Sequence, residues 1–551
     1  MKQNLFAATI LTGLVFALAA CSSRENGEAD APPDYAARGQ HAWEDVKVLA
    51  DDNMEGRRAG TPAHRRAAEY VAKQFEAAGL KPAGEEGWFQ RVNLESRTID
   101  ETRSNLALVT AKGAQPLKLG DDAIFSLRGN FAPQVDAPLV FVGHGLRLPQ
   151  YGHDDLIGVD LKGKVVVYFT SAPKVVPGAA GAHFGSNAER WKQYHAAGAI
   201  GVLTIPNPFA MDLPWERIAA TRTDPQMRLA APATDLFPDM QIYAGLNPAR
   251  FARLLEGTGQ SEQTLLDALK EGVALPHFDL KLRVRAAIFA DSTTATSENV
   301  VGVLEGSDAT LAGQYVALTA HLDHIGITAH GDREGEGDRL HNGAMDNASG
   351  IAALIDVARA LHAAHARPKR SVLFVAVTAE EFGLLGSRAY AEHAAGNGTN
   401  LVANLNSDMF LPLYPLKHLV VFGLEESSLG DDARAVATGL GIATQTDPQP
   451  ERNRFIRSDQ YSFIKVGVPA LALKVGYVPG SPEEAIDQKW FKERYHAPAD
   501  DLAQPVDFGA MGLYAELMQR LTLRVANAAT TPAWRESSVF ATIPKAAAPS
   551  R

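Results

Sequence analysis

Three apolar segments in the second half of the chain end close to a histidine or an acidic residue. From about position 295, short apolar runs alternate with predicted helices, including 349–364 and 381–395, which is typical of an α/β sheet flanked by helices. The run YVALTA precedes His321 and Asp323, SVLFVAVT precedes Glu380 and Glu381, and LVANLN precedes Asp408. Active sites in open α/β sheets lie outside the carboxyl ends of strands. We therefore predict a mixed, mostly parallel central sheet with these polar side chains gathered at one edge.

Two further segments carry residues of the same chemical type. GAMDNASG contains Asp346, and YHAPADD contains His496. With the strand-end residues they form a set of two imidazoles and three carboxylates: His321, Asp346, Glu381, Asp408 and His496. This donor set suits a pair of zinc ions and an activated water, and Glu380 is left as a spare carboxylate.

Each of these residues, taken alone, also has an ordinary structural explanation. A histidine after a strand is commonly a hydrogen-bonded structural residue, and an acidic pair favours the first turn of a helix. Asp346 could simply cap the helix that follows it. Five such coincidences in this order are improbable, so we favour a metal site. Three neighbouring histidines receive no catalytic role: His324, His330 and His341.

Length, charge and cysteine content narrow the class of protein. At 551 residues the chain is expected to form two or more domains. Its net charge of −11, from 53 basic and 64 acidic residues, argues against a nucleic-acid partner. A single cysteine allows no intrachain disulfide, so zinc would be held by nitrogen and oxygen ligands.

The N-terminus is predicted to direct export. Residues 1–20 hold a short basic region and an apolar stretch that is short for a transmembrane span. LAAC, ending at Cys21, is similar to a bacterial lipobox, so Cys21 would be lipidated; an ordinary signal peptide is the alternative. Ser22 fits sorting to the outer membrane, and the periplasmic and surface faces both remain open. Residues 21–37 would form a flexible tether.

Changes in the pattern of apolar and polar residues divide the remaining chain into segments. We predict that 38–130 and 290–528 form one catalytic domain, with a capped amphipathic helix just after Thr61. Between them, 131–289 is expected to be a smaller β-rich inserted domain. The weakly patterned segment 529–551 is expected to be a peripheral C-terminal tail.

These motifs resemble a family of co-catalytic zinc exopeptidases that includes secreted bacterial leucyl aminopeptidases and glutamate carboxypeptidase. The resemblance runs from about 38 to 525 and includes MEGRRAGTP, which begins at Met54. The insert at 131–289 is similar to a protease-associated domain, although that match is softer than the metal-site motifs. The resemblance implies a zinc aminopeptidase-like fold and activity on peptides.

The resemblance also implies how the ligands divide between two zinc ions. His321, Asp346 and Asp408 would hold one ion. Glu381 and His496 would hold the other, and Asp346 would bridge the two ions. In this family the peptide bond after the bridging aspartate is often cis.

Further roles follow from the same resemblance. Glu380 matches the general base, and Tyr495 matches a tyrosine that helps to polarise the scissile carbonyl. Asp323 would orient the first histidine ligand from the second coordination shell. Arg457 lies in an RSD segment near the substrate pocket, but Gln460 replaces a common histidine there, which puts the pocket contacts in doubt.

The expected function is removal of N-terminal residues from peptides, and three alternatives remain open. A carboxypeptidase of the same family would act on acidic C-terminal residues. A second zinc exopeptidase family, with a separate dimerisation domain, usually has a long insertion before its last ligand; here Asp408 and His496 lie only 88 positions apart (496 − 408). A non-catalytic, receptor-like descendant would lack ligands or the base. The sequence leaves the oligomeric state open.

Overall fold

Two large β-sheets organise the part of the chain described by the computed structural model, which comprises residues 33–231, 235–329 and 337–545. Cys21 and the predicted signal peptide lie outside these residues, so the lipidation site stays a prediction.

The strands of the described residues are numbered in chain order: β1 (Lys81–Pro82), β2 (Phe89–Ile99), β3 (Asn105–Thr110), β4 (Gly113–Leu117), β5 (Ala123–Phe125), β6 (Gln134–Phe141), β7 (Arg147–Leu148), β8 (His153–Asp154), β9 (Val165–Thr170), β10 (Gly201–Pro206), β11 (Gln226–Leu229), β12 (Ile242–Leu246), β13 (Phe278–Ala287), β14 (Ala290–Leu304), β15 (Gln314–His321), β16 (Gly326–Ile327), β17 (Leu340–His341), β18 (Ser371–Val377), β19 (Asn400–Asn406), β20 (His418–Phe422), β21 (Ala443–Gln445) and β22 (Ala470–Gly476).

The α-helices of the same residues are α1 (Tyr35–Leu49), α2 (Pro62–Ala77), α3 (Gly178–Phe184), α4 (Asn187–Ala196), α5 (Trp215–Ala220), α6 (Glu262–Glu271), α7 (Ser349–Ala363), α8 (Leu385–Gly396), α9 (Leu429–Gly439), α10 (Gln460–Ile464), α11 (Pro482–Glu493) and α12 (Phe508–Asn527). None of these described helices combines the length and the apolar composition that a membrane span requires.

The first sheet runs in the order β11-β2-β14-β18-β15-β19-β22-β20-β21, and β1 pairs with β14. Strand β15 is parallel to both β18 and β19, and β19 is parallel to β22. All seven residues of β18 are buried, as expected for a strand covered on both faces. Helices α1, α2, α7 and α12 contribute to the core on one face, and α8 and α10 to the core on the other. This confirms the predicted mixed α/β sheet flanked by helices. The sheet is not mostly parallel as predicted, because β1, β2, β11 and β20 pair antiparallel with their neighbours β14, β2 and β22, and β14 is antiparallel to β18.

The second sheet lies between two long strands of the first in the sequence. Strands β2 and β14 of the first sheet pair antiparallel, and the span between them returns to that sheet in β11, which pairs with β2. The intervening span forms the order β4-β3-β13-β6-β9-β10-β12-β5, with its own apolar core. Its strands begin at Asn105, so the change of sheet does not coincide with the predicted boundary near position 131. The division into domains stays a prediction.

The predicted helices agree with the structure except at one start. Thr61 caps α2 by accepting a hydrogen bond from the His64 amide, as the sequence predicts. The helix predicted from position 381 begins instead at Leu385. Residue Leu384 has a φ of 61°, so the acidic pair lies in a turn before the helix and not within its first turn. That turn leaves both carboxylates at the strand end.

Arg57 connects three loops behind this edge of the sheet. Its side chain is fully buried and donates to the carbonyl oxygens of Leu49 (2.5 Å), Leu322 (2.8 Å), Asn342 (2.7 Å) and Gly343 (2.9 Å). A planar guanidinium can serve several acceptors at once, which an ammonium cannot do in the same geometry. The MEGRRAGTP segment therefore has a structural role that its sequence did not reveal.

We expect Arg57→Met to lower the free energy of unfolding by at least about 3 kcal/mol, because several buried carbonyls would lose their donors. Arg66→Met is the matched control, since the Arg66 side chain is 44% exposed; it should change stability by less than about 0.5 kcal/mol. Thermal and denaturant unfolding of both variants would measure the difference. Equal stability of the two variants would contradict the assigned role of Arg57.

Candidate metal centre

Three parallel strands place the candidate ligands at one edge of the first sheet. His321 is the last residue of β15, Glu380 and Glu381 follow β18 by three and four residues, and Asp408 follows β19 by two. The strands are adjacent and parallel, so their carboxyl ends meet. The predicted convergence of these residues is what the structure shows.

Asp346 lies between the two predicted histidine ligands. Its Oδ1 is 3.2 Å from His321 Nε2, and its Oδ2 is 3.3 Å from His496 Nε2. His321 Nε2 is also 3.1 Å from Asp408 Oδ1, and His496 Nε2 is 3.2 Å from Glu381 Oε2. The five residues thus form two groups that share one carboxylate.

The spacing within each group fits ligands that share a metal ion. Nitrogen and oxygen ligands about 2.0–2.1 Å from tetrahedral zinc lie about 3.3 Å from one another. The four histidine–carboxylate distances in the cluster are 3.1–3.3 Å. The donor set, all nitrogen and oxygen, is one that zinc accepts. The residues present therefore fit zinc, and the two groups share Asp346 as a donor.

Buried negative charge dominates the electrostatics of the cluster. Burial raises the pKa of Glu380 well above its usual value. Burial disfavours a charged His496 ring, yet Glu381 and Asp346 raise the pKa of His496 to about 10. These carboxylates favour a positive charge among them, which is the requirement that divalent cations meet.

Two side chains outside the predicted set hold the Asp346 loop. Asp500 accepts hydrogen bonds from the backbone amides of Met345 and Asp346, each at 2.9 Å. Asn347 donates from Nδ2 to the Ser407 carbonyl at 2.9 Å, which links this loop to the loop of Asp408. The Asp346–Asn347 peptide bond is cis, as the resemblance implies. The sequence feature that could have indicated Asp500 is its position in YHAPADD, four residues after His496.

His324, for which no catalytic role was predicted, lies within the cluster. Its side chain is fully buried, and its Nδ1 is 2.7 Å from Glu381 Oε1 and 3.9 Å from Asp346 Oδ2. The first distance is that of a direct hydrogen bond, shorter than the separations between the ligands. A Cβ at Gly343 would lie 2.5 Å from the His324 ring, so this position requires glycine. The spacing His-x-x-His in HLDH was the signal that could have suggested it.

Asp323 contacts His321 in a different way from the one predicted. His321 Nδ1 donates to the Asp323 main-chain oxygen at 3.0 Å, whereas the Asp323 carboxylate is 4.0 Å away. That carboxylate accepts a hydrogen bond from the Glu380 amide at 3.0 Å. The main chain of Asp323 therefore orients the histidine, while its side chain positions the spare carboxylate.

The other candidate residues line cavities beside the cluster. Glu380 and Tyr495 line a cavity of about 830 Å³ and a smaller one of about 80 Å³. Arg457 lines both cavities as well, but Asp212 binds its guanidinium. His341 is buried, with its ring 6.4 Å from that of His324 and no ligand contact. His330 lies outside the described residues.

Comparison with known proteins gives this site a family context. Residues 299–522, which contain every residue of the cluster, match the model of peptidase family M28. Aminopeptidase YwaD of Bacillus subtilis (strain 168) is 26% identical over 214 residues, which is 38% of this chain and 41% of that protein. Leupeptin-inactivating enzyme 1 of Streptomyces exfoliatus is 26% identical over 219 residues, covering 38% of this chain and 44% of that protein. The family resemblance stated from the sequence is thereby confirmed.

The overall fold is similar to that of a solved aminopeptidase from Aneurinibacillus sp. strain AM-1. The structural match has a TM-score of 0.54 at 18% identity and covers 90% of this chain and 96% of that one. It supports the fold class at a level of identity too low to carry function. The sequence matches to YwaD and to the Streptomyces enzyme span less than half of either protein.

We expect His324→Leu to weaken zinc binding about 10- to 100-fold, because it removes the donor that orients Glu381 at similar bulk. His324→Asn can still present an N–H near the Nδ1 position, so this variant should lose less zinc affinity than His324→Leu. His341→Leu is the matched control, a nearby buried histidine without a ligand contact. Zinc affinity measured against a competing chelator would test this, and wild-type affinity in His324→Leu would refute the orienting role.

Proposed function

We propose that this chain is a zinc-dependent exopeptidase that removes N-terminal residues from peptides. The observation that carries the proposal is the contact of each Asp346 oxygen with a different histidine, His321 at 3.2 Å and His496 at 3.3 Å. A shared carboxylate between two ligand groups is the arrangement that a two-metal hydrolytic site needs. Glu380 adds a carboxylate at the cavity that belongs to neither group.

The comparisons support a peptidase and favour an aminopeptidase. The matching family is a peptidase family, and two of the similar proteins are named aminopeptidases. The zinc count of two is part of our proposal and rests on the two ligand groups. Peptides are the proposed substrates.

Two zinc ions would supply Lewis acidity and bring the pKa of an attacking water down toward about 7. One ion would be held by His321, Asp346 and Asp408, and the other by Glu381, His496 and Asp346. The protein's own groups position and move the proton. Glu380 takes the proton of the water at a carboxylate oxygen and delivers it to the leaving amine. Burial raises the pKa of Glu380, which makes its carboxylate a stronger proton acceptor.

We assign to Tyr495 the role of stabilising the developing negative charge on the scissile carbonyl. Its side chain is buried and lines the same cavity as Glu380. Its ring lies 4.0 Å from the His496 ring, and its main-chain oxygen accepts a hydrogen bond from Arg217 at 3.0 Å. A donor held in place before the reaction costs little reorganisation when charge develops.

A carboxypeptidase acting on acidic C-terminal residues is the second candidate. It is favoured by the guanidinium groups of Arg454 and Arg457 at the small cavity, since a C-terminal carboxylate needs cationic partners. The names of the similar proteins point to the first candidate, which we therefore prefer.

Export and lipid anchoring form the remaining part of the proposal. They rest on the apolar segment before Cys21 and on the lipobox-like LAAC sequence. A lipid anchor there would hold the enzyme at the outer membrane while its substrates stay peptides in solution.

Glu380→Gln should keep bound zinc and lose turnover by about 10²- to 10⁴-fold, because the amide cannot accept the proton. Metal analysis and peptide hydrolysis of the same preparation would measure both quantities. Glu69→Gln, on a side chain that is 50% exposed, is the matched control and should leave both unchanged. Near-normal turnover in Glu380→Gln would show that another group is the base.

Digestion of a peptide library, read by mass spectrometry alongside metal analysis, tests the function as a whole. We expect about two zinc ions per chain and residues trimmed one at a time from the N-terminus. Removing zinc with a chelator should abolish trimming, and adding zinc back should restore it. Trimming from the C-terminus would replace the first candidate by the second, and a single zinc ion at full activity would overturn the two-metal site.

A further inference from the structure

The small cavity of about 80 Å³ has one wall that the proposed chemistry does not use. Its lining includes the candidate ligands Asp346, Asp408 and His496 with Glu380 and Tyr495, and the unused wall consists of Asp212, Arg454, Arg457 and Lys474. A volume of this size exceeds the roughly 30 Å³ share of one water molecule and has room for only a few non-hydrogen atoms. The cavity therefore fits a small group of a substrate bound at the cluster.

Lys474 does not supply a free charge to this cavity. Its Nζ is 2.5 Å from Asp487 Oδ1, and both side chains are buried. This pair is neutral overall. The other cationic groups of this wall are the guanidiniums of Arg454 and Arg457.

Three arginines share one carboxylate at the rim. Arg452 contacts Asp212 Oδ1 and Arg457 contacts Asp212 Oδ2, so both oxygens are occupied. Arg454 reaches the same carboxylate only at 3.8 Å. The Asp212 side chain is 9% exposed, and no other carboxylate of the described residues lies within 4.0 Å of these guanidiniums. The three guanidiniums therefore share a single close carboxylate.

Arg454 is the guanidinium left without a close partner. Its side chain is only 14% exposed and lies over the Phe491 ring at 4.6 Å. Among the described residues, no hydrogen bond to its guanidinium accompanies the long contact with Asp212. A buried guanidinium with open donors that faces a cavity is a binding group for a carboxylate, which it can hold through two parallel hydrogen bonds.

We propose that Arg454 forms a subsite for a carboxylate of the substrate, next to the metal centre. This inference rests on the proposed function, because it assigns the cavity to the peptide that is cleaved. The carboxylate comes either from an aspartate or glutamate side chain beside the scissile bond or from the C-terminus of the peptide. Asp212 holds the neighbouring arginines in place and leaves Arg454 for the substrate.

Asp212 also connects the cavity to the part of the chain that contains the second sheet. It lies between β10 and α5, in the span between β2 and β14. In the same segment, Arg217 donates to the Tyr495 carbonyl. The span between β2 and β14 thus contributes Asp212 to the lining of the small cavity.

The test compares substrate pairs that differ only in one charge, using the zinc-loaded full-length chain. Aspartyl and asparaginyl anilides probe a side-chain carboxylate; N-acetyl-dialanine and its C-terminal amide probe a terminal one. We expect the charged member of one pair to be preferred, and Arg454→Gln to lower that preference about 10- to 100-fold. If Arg454→Gln loses the preference for the aspartyl anilide, the subsite binds a side-chain carboxylate. If it loses the preference for N-acetyl-dialanine over its amide, the subsite binds the C-terminal carboxylate.

Arg452→Gln is the matched control, because Arg452 contacts Asp212 but does not line the cavity. It should leave the preference within about threefold. The inference is overturned if neither pair is discriminated by the wild type, or if the preference survives in Arg454→Gln.

A direct binding measurement separates this inference from the proposed function. Calorimetric titration with L-aspartate and L-asparagine, and with the N-acetyl-dialanine pair, reports the carboxylate preference without turnover. If no substrate is cleaved but the charged probe binds more tightly and Arg454→Gln removes the difference, the peptidase proposal fails and the subsite stands. If leucyl anilide is cleaved and no charged probe is preferred, the subsite fails and the peptidase stands.

Discussion

The concentration of buried carboxylates at one edge of the first sheet is the constraint on which the rest of the site depends. Asp346 and Glu381 lie with Glu380 in a cluster of carboxylates, and the side chains in direct contact with the first two are the histidines His321, His324 and His496. Like charges in a region of low dielectric repel strongly unless cations separate them. The cluster therefore calls for metal ions, and the loops around it must resist the repulsion when no ion is bound.

That resistance comes from side chains that are not ligands. Arg57 holds three loops from behind through their carbonyl oxygens, and Asp500 holds the amides of the Asp346 loop. Asn347 ties this loop to the one that carries Asp408. These contacts fix the ligands from the backbone outward, so the metal centre is preorganised by hydrogen bonds that a search for metal-binding motifs does not detect.

Much of the site was predictable, because strand ends can be read from apolar patterns and parallel strands end together. His321, Glu380, Glu381 and Asp408 were predicted in this way. Asp346 and His496 were predicted from their residue types in two further segments, and the family resemblance assigned the roles. The contacts of His324 and of the Asp323 carboxylate were not predicted, since a histidine three residues after a ligand and a carboxylate two residues after it have several possible partners. Which partner each takes depends on side-chain direction after the strand, and the apolar pattern carries no information about that.

The sequence by itself determined the fold class, the edge of the sheet that carries the chemistry and the donor atoms available there, because periodicity and residue type are local properties. Tertiary structure alone decided that each Asp346 oxygen faces a different histidine and that Glu381 is oriented by His324. It also brought Asp212, from a span predicted as a separate insert, to the arginines beside the site. Contacts between residues hundreds of positions apart depend on how the two sheets pack, and no local pattern encodes that packing.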